Sequence, residues 1–90
     1  MTQTKRAMIV EKAFMDYYND VDYKLLLIHE GNHSSTFAIV DIAEIIIEFS
    51  VSNTSIFDAK SHSGLLSCKS ELRTWYSFLK QVEEDLEREI

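Results

Sequence analysis

Apolar residues fall at alternating three- and four-residue spacing from about Thr4 to Asn19, at Ala7, Val10, Phe14, Tyr17 and then Val21. That period is one face of an amphipathic helix. Thr4 suits the N-cap and Asn19 the left-handed residue that ends a helix. Val21 to Glu30 changes period: Tyr23, Leu25 and Leu27 take one side while Leu26 and Ile28 partly fill the other, as expected of a central strand. Gly31-Asn32-His33-Ser34-Ser35 reads as a five-residue hairpin loop, and Thr36 to Asp41 as the returning strand. In Ile42 to Ser52 two periods compete. Asp41, Glu44 and Glu48 would share a helical face, yet Ile45, Ile47, Phe49 and Val51 alternate with polar positions and only Ile46 interrupts. β-Branched and aromatic residues there lose rotamer freedom in a helix, so a strand is predicted. Ser52 to Ser55 is a turn, Ile56 to Lys60 a short edge strand, and Ser61 to Gly64 a second loop.

The last third carries the clearest pattern: Leu65, Cys68, Leu72, Trp75, Leu79, Val82 and Leu86 keep a 3-4-3-4-3-4 spacing. This predicts a long helix with a single apolar seam. About 24 residues of helix would span roughly 36 Å, beyond the roughly 31 Å breadth of a compact chain of this length, so the last turn should overhang. The expected architecture is α+β: an N-terminal helix, a three- to four-stranded antiparallel meander and a long C-terminal helix, with both helices on one sheet face and the other face exposed.

Length and composition narrow the function. Ninety residues hold one core and form a single domain, 1–90, with little room for a deep substrate cavity beside that core. Apolar residues are 46% and charged residues 27% of the chain, which places it with globular and not disordered sequences. Apolar runs such as Leu25 to Ile28 fall far short of the about 20 residues of a membrane-spanning helix. Lys5 and Arg6 precede Ala7-Met8-Ile9-Val10, but Glu11 and Lys12 end that run before a signal-peptide core forms. A lone cysteine, Cys68, allows no internal disulfide, so a cytoplasmic location is expected. Proline is absent and glycine occurs only at Gly31 and Gly64, leaving turns to Asn, Asp and Ser.

Charge is unevenly placed. Residues 1–12 carry three bases and one acid, residues 13–58 eight acids and one base, and residues 59–90 six acids and five bases, for a net −6. Lys24 is the only cation of an acidic middle that repels nucleic acid and anionic lipid and attracts basic protein surfaces. Both helices also carry charges reversed against their dipoles: the first begins with Lys5 and Arg6 and ends in Asp16 and Asp20, and the second ends in Glu83, Glu84, Asp85, Glu87 and Glu89. Each exposed acid at a helix C-terminus forgoes about 0.3–1 kcal/mol relative to a cation, with only a Glu84–Arg88 pair in return. Such a breach of local rules raises the suspicion of a functional constraint. Asp16-Tyr17-Tyr18-Asn19-Asp20-Val21-Asp22-Tyr23 adds tyrosines, stiff and amphipathic, beside carboxylates that can take arginine. Tyr17 and Tyr23 fit buried stripes; Tyr18, off the stripe, is the interface candidate.

Other chemistries lack their patterns. His29 and His33 are separated by a turn and His62 is remote, so no zinc site is expected. Asp20 and Asp22 lack the glycine and closing glutamate of a calcium loop. Cys68 on the seam reads as a small buried hydrophobe, and neither glycine belongs to a phosphate-cradling loop. No cofactor is expected. The reading that remains is a non-enzymatic protein-binding module, an inhibitor docking on a basic surface of a larger protein, such as one that binds nucleic acid. Phage anti-defence and toxin-neutralising immunity proteins share its size and charge, by analogy only. The expected contact residues are Glu44 and Glu48 on the open sheet face, then Asp16, Tyr18, Asp20 and Asp22, then Glu83, Glu84 and Glu87. The alternative is a homo-oligomer paired through the Leu65–Leu86 seam. Of an enzyme, only His29, His33 and His62 would supply proton transfer.

Overall fold

The computed structural model describes residues 3–19, 22–41, 44–53, 55–61 and 69–89, with the side chains of residues 3, 4, 57, 58, 61 and 69 left aside. Helix α1 spans Gln3–Tyr18, strands β1 to β4 span Lys24–Glu30, Ser34–Val40, Ile45–Ser52 and Ile56–Ser61, and helix α2 spans Lys69–Arg88. The strands form one antiparallel sheet in the order β1-β2-β3-β4. This is the expected α+β architecture, with four strands.

The core lies between one sheet face and the helix pair. Phe37 lies opposite Phe49 and Ile39 opposite Ile47 in the β2–β3 register. These four, with Val51, are buried against Val10 and Ala13 of α1 and Trp75, Phe78, Val82 and Leu86 of α2. The alternation in β3 thus does what its period predicts, and the residue that broke it has a cause: the β2–β3 register shifts beside Ile45 and Ile46. The irregularity lets adjacent Ile46 and Ile47 both enter the core and turns Ile45 outward.

Several expectations are corrected. Strand β1 is an edge strand, not a central one. Its loop to β2 is three residues, 31–33, because pairing begins at Ser34 and Ser35. Thr4 lies inside α1, which starts at Gln3. The α1 face is wider than its predicted stripe: Arg6, Val10, Ala13 and Tyr18 are buried, and Ala7, Phe14 and Tyr17 are half-buried, because the helix packs on both the sheet and α2. On α2 the expected seam omitted Phe78, which is fully buried, with its ring 5.6 Å from Phe49 and 5.5 Å from Trp75. Leu86 is also fully buried, so the last turn does not overhang. Seam residues Trp75, Val82 and Leu86 are buried in the chain's own core. Val21, Leu65 and Cys68 lie outside the described residues.

Arg6 is the unexpected core residue. Its guanidinium, with no solvent exposure, donates from Nε to Ser35 Oγ (2.9 Å), from Nη1 to Asn53 Oδ1 (2.7 Å) and from Nη2 to the Gly31 carbonyl (2.8 Å). One side chain thereby ties the start of α1 to the β1–β2 turn, to β2 and to the β3–β4 turn. A buried cation is tolerated only where hydrogen bonds replace its water, and the fixed fork of arginine suits three acceptors in different directions.

Candidate functional site

Antiparallel pairing brings the start of β1, the end of β2 and the start of β3 together: Lys24 lies opposite Val40, and Val40 opposite Ile45. The end of α1 packs on the middle of α2, where Tyr18 meets Phe78 with ring centroids 5.8 Å apart. The sheet end is acidic. The Asp41 backbone N–H donates to the Glu44 carbonyl (3.0 Å), while the Glu44 N–H donates to Asp41 Oδ1 (2.9 Å). This Asp-closed turn replaces the missing glycine and proline and leaves the Glu44 side chain exposed.

Half-buried Tyr23 sits at the centre, its ring 6.1 Å from that of Tyr18. Its phenol is pushed above the ordinary tyrosine value by burial first, then by the charges of Glu71 and Asp41. Burial raises Tyr18 further, with Glu71 and Tyr23 adding to it. Carboxylates from the β2–β3 turn and from the first turn of α2 therefore act on one tyrosine. Asp22 just before β1 and Glu44 in the β2–β3 turn are exposed, as is Lys24 at the start of β1, while Asp41 and Glu71 are half-buried.

The expected contact residues are not gathered there as a set. Glu44 precedes β3 and belongs to the turn, so it does not share a strand face with Glu48. Half-buried Glu48 lies on the open face between Ala38 and Lys60 in register. Asp16 and Asp22 are exposed, and Asp20 falls outside the described residues. Tyr18 is a correction: it is only 6% exposed, because its ring stacks on Phe14 at 5.2 Å and packs edge-on against Phe78 of α2 at 5.8 Å. Glu83, Glu84 and Glu87 are exposed along the second half of α2, away from the turn of Asp41 and Glu44.

The reversed helix charges also find a structural reason. The two helices run antiparallel, and Lys5 at the start of α1 forms an ion pair of 2.7 Å with Glu89 after α2. Asp85 accepts from Gln81 (3.0 Å) and Arg88 (3.1 Å), so Arg88 pairs with Asp85 and not with Glu84. Because α2 begins at Lys69, it has Glu71 in its first turn and Arg88 in its last, both favourable to its dipole. Acids at the end of α2 are thus partly neutralised within the chain.

Comparison with known proteins gave a plain result. No family model, no curated protein and no solved structure matches this chain. Its own chemistry is therefore what can be read. His29 and His33 are exposed at the β1–β2 loop, His62 lies outside the described residues, and among the described residues no three His, Cys, Asp or Glu side chains are grouped to hold a metal ion. No helix among the described residues is long and apolar enough to cross a membrane. Sequence reasoning missed Asp41, Tyr23 and Glu71. An Asp three residues before a Glu between two strands is a readable turn signal, but nothing local links Glu71 to that turn.

Proposed function

We propose that this chain is a non-enzymatic protein-binding module that docks its acidic end on a basic surface of a larger protein. What supports this reading is the placing at one end of the sheet of exposed Asp22 and Glu44, with Asp41 closing the turn of Glu44, beside half-buried Tyr23. A rigid aromatic ring within a rim of carboxylates supplies contact area at low entropic cost and acceptors for arginine. Where the basic surface binds nucleic acid, the module occupies it as an inhibitor, since a net −6 chain competes with phosphates for the same cations.

Affinity purification with the full chain at low and moderate salt tests it. The expected partner is captured through a basic surface, less so as salt rises, and Asp22→Lys with Glu44→Lys abolishes the capture. A partner held equally well at both salts, or by the doubly reversed variant, overturns the reading.

A further inference from the structure

Strand β1 differs from the other edge of the sheet. Among the described residues it has β2 on one side only, so its outer backbone N–H and C=O groups have no strand partner. Three consecutive apolar side chains stand in solvent there: Leu26 at 49%, Leu27 at 46% and Ile28 at 53% exposure. In register Leu26 lies opposite Ala38 on the open side of the sheet and Leu27 opposite Phe37 on the core side, so the edge is uncovered on both. The opposite edge, β4, reads IFDAKS and interrupts its apolar residues with Asp58 and Lys60, the usual guard against edge pairing. β1 reads KLLLIHE and places its charges only at its two ends. The register shift between Leu27 and His29 bends its far half but leaves Lys24 to Leu27 as a regular run.

We infer that β1 accepts a fifth strand from the basic partner protein: an extended segment with apolar residues at its centre and a lysine or arginine at each end. The inference rests on the acidic-end reading above and names how that partner is held. Charge selects this occupant. Asp22 stands just before β1 and Glu30 closes it; both are exposed, and among the described residues neither has an ion-pair partner. Lys24 is the only cation between them, so the edge is net negative, and Asp41, which follows the Val40 partner of Lys24, adds charge at the Asp22 end. A base at each end of the incoming segment meets a carboxylate in either direction of pairing, and a neutral residue opposite Lys24 avoids its charge.

The whole-molecule charge points the same way: a net −6 chain attracts a cationic segment and repels an acidic one, a further copy of itself included. Strand addition satisfies the outer N–H and C=O groups of β1 whatever the sequence of the added strand, and its side chains supply the choice. Successive side chains of that strand point to opposite faces. Adjacent apolar residues at its centre therefore cover Leu26 on the open side and Leu27 on the core side together.

Fluorescence anisotropy of two capped, dye-labelled peptides with the full chain is the test: Arg-Thr-Val-Ile-Val-Thr-Arg, and its counterpart with glutamate in place of both arginines. The arginine peptide is expected to bind with a Kd on the order of 10–100 μM and to protect β1 amides from exchange, and the glutamate peptide to bind roughly tenfold more weakly. Of two arginine peptides N-methylated on alternate residues, the one blocked on the side facing β1 should lose binding and the other keep it. Leu27→Lys should lose binding with an unchanged far-UV circular dichroism spectrum, and Asp22→Lys with Glu30→Lys should reverse the preference to the glutamate peptide. No binding of the arginine peptide, binding of both methylated forms, or protection confined to other elements overturns strand addition; salt-sensitive capture of a basic partner, undiminished in Leu27→Lys, then leaves the acidic-end reading standing. Equal binding of the arginine and glutamate peptides removes the charge selection and overturns the proposal.

Discussion

Arg6 shows how one residue can hold elements that share no sequence neighbourhood. Its acceptors, Ser35 Oγ, Asn53 Oδ1 and the Gly31 carbonyl, are all neutral, and they come from the β1–β2 turn, β2 and the β3–β4 turn. Arg6→Ala leaves these acceptors without their donor and opens a cavity, so an unfolding free energy lower by about 3 kcal/mol is expected from urea denaturation. Arg6→Lys should recover little, because one ammonium cannot span the fork. Phe78→Ala should cost about 3–5 kcal/mol, as a fully buried ring with aromatic partners on three sides.

Tyr18 gives a prediction of defined sign. Its phenol is raised above the ordinary value of 10.0 in the folded chain. On raising pH, the unfolded chain therefore releases this proton first, so the stabilisation is complete below about pH 10 and is lost as pH rises beyond it. Tyr23 acts in the same direction. Urea midpoints at pH 8 and pH 11 should separate more in the native sequence than in Tyr18→Phe, which has no proton to lose; equal separation would contradict the burial of this group.

At the scale of elements, the helices carry charges that neither would choose alone. Lys5 and Glu89 each oppose the dipole of their own helix and meet across the pair. Because Lys5 is about half exposed, the bridge is a weak one, and Lys5→Gln should shift stability by no more than about 1 kcal/mol. The α2 seam, period and length are legible in the sequence because burial on one side imposes a stripe. The β3 alternation is legible for the same reason, and Ile46 marked its own irregularity. The place of β1 was not legible: an apolar LLLI run reads the same in a central strand and in an edge strand. Tyr18 was misplaced because α1 is buried on two sides, and a single-stripe reading sees only one.

For the whole molecule, net charge mattered less than where folding put it. Of the nine acidic-surface candidates, Glu44 and Asp22 join the acidic end. Glu48 lies across the open face beside Lys60, Tyr18 goes to the core, and the α2 glutamates occupy a separate surface. Asp22→Lys with Glu44→Lys should leave unfolding within about 0.5 kcal/mol per exposed site while abolishing salt-sensitive capture of a basic partner. Stability curves beside the binding measurement separate these effects.

The sequence by itself determined the elements, their order, the α+β class and the sign of the surface. Each of these follows from local periodicity or from counting, which need no knowledge of what lies across the core. Tertiary structure alone decided that β1 is an edge, that Arg6 is a core residue and that Glu71 and Asp41 share Tyr23. Those facts depend on pairing between segments far apart in the chain, and hydrophobic period carries no information about which distant segment will stand opposite.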